Sequence, residues 1–359
     1  MKILTVIGAR PQFVKAAALS RAISKRNHIR EVIVHTGQHF DANMSEIFFT
    51  EMDIPKPDYN LEINSLGHGA MTGRMLEGIE EILLKEKPDV LLVYGDTNST
   101  IAGALAAKKI HIKVAHVEAG LRSFNMAMPE EVNRILTDRI SDYLFCPTET
   151  AIENLNREGF ENIDCQIINS GDVMQDAALF YAQRSEQKST VIAENNLDRF
   201  ALVTLHRAEN TDDVNRLSAI VNALNEIHEN FCPIVLPLHP RTKGKLEASG
   251  LELKIKTIPP VGYFDMIELI KNSEIVMTDS GGLQKEAFFF QKNCITMRDQ
   301  TEWVELIEAG VNVLVGANKN RINEQFERMI KKSSDFSTDL YGNGKACENI
   351  LDSLEKDFS

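Results

Sequence analysis

Strand-length apolar runs recur along this chain with helix-length patterns between them, and that alternation constrains the fold more than any other feature. The runs occupy residues 3–7, 31–36, 90–94, 114–117, 143–146 and 167–169 in the first half. In the second half they occupy 200–205, 233–236, 253–258, 274–278, 294–297 and 312–315. Segments such as 12–24, 71–85, 99–108, 131–140 and 149–158 read as helices. A strand that is apolar at every position must be covered on both faces, and helices between consecutive strands supply that cover. The pattern predicts a parallel, doubly wound α/β sheet in each half. At 359 residues the length suits about two domains. The expected architecture is two Rossmann-like domains facing a cleft, spanning 1–170 and 171–345, with a polar surface segment at 184–196 near the hinge. Ligands of such folds bind beyond the carboxyl ends of the strands.

Composition removes several functional classes. A net charge of −13 argues against general binding to nucleic acid or anionic membranes, while leaving room for an anionic small ligand where cations cluster. No apolar run reaches the roughly 18 residues of a membrane span. The apolar run at the N-terminus is too short for a signal peptide, so the expected location is the cytoplasm. Cys146, Cys165, Cys232, Cys294 and Cys347 are odd in number and far apart, which predicts reduced thiols and no structural zinc.

The loops that follow the strands carry the chemistry. Arg10 and Lys15 follow the first strand, from where both can face one ligand; a capping Arg and a solvated Lys are the bland alternative. His35 and His39 are four apart, but no third ligand stands at useful spacing, so no metal is expected. Asp96 follows Gly95 at a strand end, either as a helix cap or as a carboxylate aimed at the cleft. Glu118 is delivered by an apolar strand, and burying a carboxylate without a partner is costly, which favours function. Glu130 and Glu131 open a helix; one of them suffices to complement the helix dipole, leaving the other for different work. His206 and Arg207 suit a phosphate or a proton transfer, and His239-Pro240-Arg241 repeats the pattern. Residues 274–290 read as strand, tight turn and helix, with Asp279-Ser280-Gly281-Gly282 at the turn and Glu286 one helical turn further on. Two glycines before a helix N-terminus let a phosphate approach free N–H groups, with Glu286 placed for sugar hydroxyls. Glycine for tight packing alone explains that turn equally well. Arg298 has three open partners: Asp299, Glu302 or the ligand.

Taken in order, Gly8-Ala9-Arg10-Pro11 with Lys15, Gly95-Asp96-Thr97, His116-Val117-Glu118-Ala119-Gly120-Leu121-Arg122, Pro129-Glu130-Glu131-Val132-Asn133-Arg134, His206-Arg207, Asp279-Ser280-Gly281-Gly282 with Glu286, and Met297-Arg298-Asp299 resemble the non-hydrolysing UDP-N-acetylglucosamine 2-epimerases over essentially the full chain. The resemblance implies a GT-B-like pair of Rossmann domains, with a C-terminal helix at about 346–359 returning to the first domain. It implies a UDP-sugar substrate, a homodimer, and no metal or other cofactor. Such enzymes eliminate UDP from C1 with loss of the C2 proton, hold a glycal, and add UDP back after reprotonation on the other face. By resemblance Asp96, Glu118 and Glu130 are the acid–base groups, with His206 acting on the diphosphate. Arg10, Lys15, Gln38, Arg134, Arg207, Ser280, Gly281, Gly282, Glu286 and Arg298 would bind UDP or substrate. Ala9 and Gln12 stand where the usual pattern has Thr and Glu, and Ala208 where it has Arg. The loop before Pro129 is short, and 288–290 and 301–306 are atypical. These departures are similar to the branch acting on UDP-2,3-diacetamido-2,3-dideoxy-D-glucuronate in surface polysaccharide synthesis. A GT-B glycosyltransferase shares the nucleotide cradle but needs fewer acids.

Overall fold

A computed structural model describes residues 1–38 and 55–358 of the chain, leaving out the side chains of Arg10 and Pro11. The chain divides into two compact units, Met1–Ala177 with Asp339–Ser359, and Ala178–Thr338. Each division lies seven residues from the boundary expected at 170/171 or 345/346.

The first unit is built on seven parallel strands: β1 (Lys2–Ile7), β2 (Arg30–His35), β3 (Tyr59–Asn60), β4 (Val90–Tyr94), β5 (Lys113–Val117), β6 (Tyr143–Cys146) and β7 (Gln166–Asn169). Their order is β3-β2-β1-β4-β5-β6-β7. The chain winds outward from β1 to β2, then restarts on the other side at β4, so the switch point lies between β1 and β4. Leu4 pairs in register with Val32 on one side and Leu91 on the other. Leu4, Val6, Val34, Leu91 and Val93 share one core with Met75, Ile79 and Leu83 of the His68–Glu86 helix. Burying each such side chain stabilises the fold by roughly 1.5–3 kcal/mol. Alanines of the Asn98–Lys109 helix lie against the same core.

The Ala346–Asp357 helix belongs to this unit and packs on the Arg10–Ile23 helix. It buries Ala346, Cys347, Ile350, Leu351 and Leu354, one stripe at helical spacing. Its first turn is capped from a distance, because the Asp176 carboxylate accepts from the N–H groups of Ala346 (3.1 Å) and Cys347 (2.8 Å).

The second unit carries six parallel strands: β8 (Ala201–Thr204), β9 (Ile234–Pro237), β10 (Lys256–Ile258), β11 (Ile275–Thr278), β12 (Cys294–Thr296) and β13 (Asn312–Leu314). Their order is β10-β9-β8-β11-β12-β13, which places the switch point between β8 and β11. Two features add to the expected pattern. The two-residue edge strand β3 has no apolar run to announce it. The polar stretch expected as surface segment at 184–196 is largely helical, with Val173–Lys188 running through its start and Val191–Glu194 following. The segment stays at the surface, and the helix through its start is anchored by Tyr181, which is fully buried against Tyr263 and Phe264 in the second unit.

Candidate active site

In the first unit, β1, β4 and β5 end side by side and deliver Lys15, Asp96 and Glu118. Glu118 follows β5 directly with φ +73°, a left-handed conformation that costs a non-glycine residue roughly 1–3 kcal/mol. The conformation is held by the N–H groups of Glu118 and Ala119, both donating to the Phe145 carbonyl at 3.1 Å. Lys15 makes an ion pair with the Glu118 carboxylate, and both side chains are nearly buried. Gly95 lies under this pair, where a Cβ would stand 3.2 Å from Glu118 Oε2 and 3.5 Å from Lys15 Nζ. Asp96 is not the helix cap. Thr97 takes that role, its hydroxyl accepting from the Thr100 N–H, which frees the Asp96 carboxylate to pair with Arg134. Burial pushes the Asp96 carboxyl above its ordinary pKa and Glu118 adds to that, against the opposing pull of Arg134 and Lys15.

Three buried supports fix these groups. Gln12 clamps the switch point: its Oε1 accepts from the N–H groups of Gly8 (2.8 Å) and Ala9 (3.0 Å), and its Nε2 donates to the Tyr94 carbonyl (2.8 Å). His116, within β5, donates from Nε2 to the Gly95 carbonyl and contacts Asp138 through Nδ1, each at 2.7 Å. Asp138 also accepts from Arg122 (2.7 Å) and from the Gly120 N–H (3.2 Å), so one carboxylate braces the loops of both Asp96 and Glu118. Gly120 sits at φ +79°, where a Cβ would meet the Ala151 carbonyl at 2.4 Å, so only glycine fits. The third support is Glu131, almost fully buried, which accepts from the Ser123 N–H (2.9 Å), the Phe124 N–H (2.8 Å) and Arg134 (3.0 Å). Of the adjacent acids, Glu131 is therefore the structural one, and Glu130 is exposed.

In the second unit the loops after β8 and β11 are joined by Asp279. Fully buried, it accepts from the N–H groups of His206 (3.1 Å) and Arg207 (2.9 Å) and stands 3.3 Å from His206 Nδ1. This holds a half-exposed imidazole at the strand end. The Gly281–Phe289 helix begins beside it, with Ser280 at the N-cap making no side-chain cap bond. Its first N–H groups and its dipole therefore offer an anion site. A Cβ on Gly281 would lie 3.8 Å from Arg207 Nη2, Arg298 Nη1 and Glu302 Oε2, so both arginines stand near the helix start. Arg298 pairs with Glu302 (3.0 and 3.1 Å), while Asp299 pairs with Arg216 (2.9 Å). Burial raises the Glu302 carboxyl, but Arg298 overcomes it and holds the pKa below the ordinary value. A cavity of about 250 Å³ adjoins His206 and Ser280, with Pro237, Val261 and Leu283 in its wall. Glu286 is buried on the same helix.

The structure thus gathers Lys15, Asp96, Glu118 and Arg134 in the first unit, and His206, Arg207, Ser280, Gly281, Gly282 and Arg298 in the second. Gln38 turns back onto the Asn98–Lys109 helix, its Oε1 accepting from the Ser99 hydroxyl at 2.8 Å. His239 caps its own helix, with Nδ1 accepting from the Arg241 N–H. The side chain of Arg10 and all of His39 lie outside the described residues, and the described ones contain no group of acids, histidines and cysteines able to hold a metal. Asp279, Gln12 and Asp138 were not foreseen in these supporting roles. For Asp279 the signal was present, since it closes an apolar strand as Glu118 does.

Two doubly wound parallel sheets, one with acids and the other with an anion-binding helix start at the switch point, define an α/β enzyme handling an anionic ligand. The chain belongs to the UDP-N-acetylglucosamine 2-epimerase family, whose sequence profile matches residues 21–355. It is 61% identical over 356 residues (99% of this chain, 100% of the relative) to the UDP-2,3-diacetamido-2,3-dideoxy-D-glucuronate 2-epimerase of Pseudomonas aeruginosa. Among solved structures, the UDP-GlcNAc 2-epimerase of Methanocaldococcus jannaschii in complex with UDP-GlcNAc and UDP matches with TM-score 0.88 and 47% identity, covering 99% of this chain and 100% of that one. The Neisseria meningitidis enzyme bound to UDP-GlcNAc matches with TM-score 0.86 and 29% identity, covering 99% and 100%. The chain is a UDP-sugar C2 epimerase, an isomerase with a GT-B-like fold. No helix among its described residues is long and apolar enough to cross a membrane.

Proposed function

We propose that the substrate is UDP-2,3-diacetamido-2,3-dideoxy-D-glucuronate and that C2 is inverted by elimination and re-addition of UDP, giving the mannuronate epimer. The C2 proton is not adjacent to a carbonyl, so simple enolisation is closed to it. A carboxylate takes that proton while the C1–O bond breaks and its electron pair leaves with the diphosphate, giving a glycal. A proton then reaches C2 from the other face, and a diphosphate oxygen re-forms the bond to C1. Atoms and charge balance without a redox partner.

The observation that carries this reading is the placement of Asp96 and Glu118 at neighbouring strand ends, one raised in pKa by burial and the other held by Lys15. Asp96, buried yet paired with Arg134, and Glu118, paired with Lys15, are the two groups placed to give and take the C2 proton. Glu130, exposed and without a partner among the described residues, is the third acid–base candidate. His206, Arg207 and the amides of residues 280–282 receive the departing diphosphate, with Arg10 and Lys15 as further cations, Arg134 holding Asp96, and Glu286 on the ribose. The 61% identity to the Pseudomonas aeruginosa enzyme supports the diacetamido-glucuronate over UDP-N-acetylglucosamine. Family likeness supports a homodimer, which sedimentation checks.

Parallel assays with the two UDP-sugars test the substrate. The diacetamido-glucuronate should turn over with the higher kcat/KM, and efficient turnover of UDP-N-acetylglucosamine alone would refute the choice.

A further inference from the structure

A cavity of about 550 Å³ opens at the carboxyl ends of β12 and β13, lined by Asn215, Arg216, Arg298, Asp299, Gly316 and Arg321 among others. Three arginines face one acid here, in a chain of net charge −13. Asp299 is already taken by Arg216, at 2.9 Å. Two guanidinium nitrogens of this wall, Arg216 Nη2 and Arg298 Nε, are buried with no hydrogen-bond partner among the described residues. Glu209 comes only to 3.9 Å from Arg298 Nε, beyond hydrogen-bond reach. Arg298 is only 3% exposed, so water does not serve its nitrogen freely. A buried cationic donor without an acceptor is costly, and a bound oxyanion removes that cost.

We infer that this cavity is a binding site for a phosphate-class oxyanion, distinct from the nucleotide-binding helix start, and that its occupancy adjusts that helix start. Arginine forks match phosphate oxygens in geometry and charge. Two physical connections lead from the cavity to the His206 and Gly281 loops. Arg216 Nε donates to Asn210 Oδ1 (3.1 Å), and Asn210 Nδ2 approaches the Asp279 carboxylate (3.3 Å) that holds His206 and Arg207. Arg298 pairs with Glu302, and both flank Gly281. An anion that draws on Arg216 and Arg298 thus competes with contacts that position the diphosphate ligands. Arg321 lines the cavity and has no place among the proposed catalytic or nucleotide-binding residues, so it separates this site from catalysis.

The test is a calorimetric titration of the full-length enzyme with inorganic phosphate in the presence of saturating UDP, against potassium chloride at matched ionic strength. Saturable binding of one phosphate per chain is expected, with Arg321→Glu weakening it at least about tenfold. Arg321→Glu should leave kcat in phosphate-free buffer within about twofold and abolish the shift in KM that phosphate causes in the parent enzyme. No saturable heat beyond the chloride control would overturn the site. So would binding that UDP abolishes, since phosphate would then be occupying the nucleotide's own position, or an unchanged affinity in Arg321→Glu. A second titration with glucose 1-phosphate separates free phosphate from a phosphomonoester, and either one binding more tightly fits the site. The calorimetric readouts need no sugar turnover, so they stand apart from the choice of substrate.

Discussion

Asp96 and Glu131 are both acids partnered by Arg134, and they do opposite work. Asp96 is partly open, raised in pKa by burial, and bears no backbone duty on its carboxylate. Asp96→Asn keeps the shape and removes the proton carrier. Its kcat should fall by roughly 10²–10⁴-fold with UDP affinity retained, as measured by turnover and by UDP titration on one preparation. Glu131 holds two backbone N–H groups and an arginine. Glu131→Ala should lower unfolding free energy by about 3 kcal/mol in denaturant titration, because buried donors lose their acceptor. Glu130→Gln should leave the same titration unchanged and reduce turnover. The sequence allowed one of these adjacent acids to complement the helix dipole and left the other for different work. Choosing between them required the fold, because only the helix phase sets which carboxylate reaches back to Ser123.

At the scale of elements, the buried chain from His116 through Asp138 and Arg122 to Glu158 ties β5 to the helices beside it. Burial alone would raise the Asp138 carboxyl; His116 and Arg122 outweigh it and hold the pKa below the ordinary carboxylate value. A folded-state pKa below the unfolded one gives stability that is complete above about pH 4 and is lost as pH falls through the folded value. The first unit should therefore lose stability below about pH 4, and Asp138→Asn should flatten that part of a stability–pH curve while lowering its plateau. A curve as steep as the parent's would count against this assignment. The strands themselves were legible because a parallel strand buried on both faces is apolar throughout. The edge strand β3 was not, being two residues long, nor was the helix through residues 184–188, whose buried face depends on Tyr181 upstream.

Across the whole molecule, the proposed labour is divided: proton transfer by the first unit, diphosphate capture mainly by the second. UDP alone should therefore protect the amides at the start of the Gly281–Phe289 helix from hydrogen exchange. At a hundredfold excess over its Kd it should stabilise the fold by about 2.7 kcal/mol. His206→Ala together with Arg207→Ala should remove most of that gain, and an undiminished gain would place the nucleotide elsewhere. Both sheets, β3 apart, followed from the order of apolar runs, and the charged loops at their strand ends could be read from the same sequence. The supporting shell of Gln12, Asp138 and Asp279 did not, because a buried amide or carboxylate at a strand end looks in sequence like any other polar loop residue. In the proposed mechanism C2 exchanges its proton through an eliminated intermediate. The most direct measurement is incubation of UDP-2,3-diacetamido-2,3-dideoxy-D-glucuronate with the enzyme in D₂O, without acceptor, followed by NMR of the recovered sugar nucleotides. Deuterium at C2 of the mannuronate epimer is the predicted result, and epimer formed with its C2 proton retained would contradict the account.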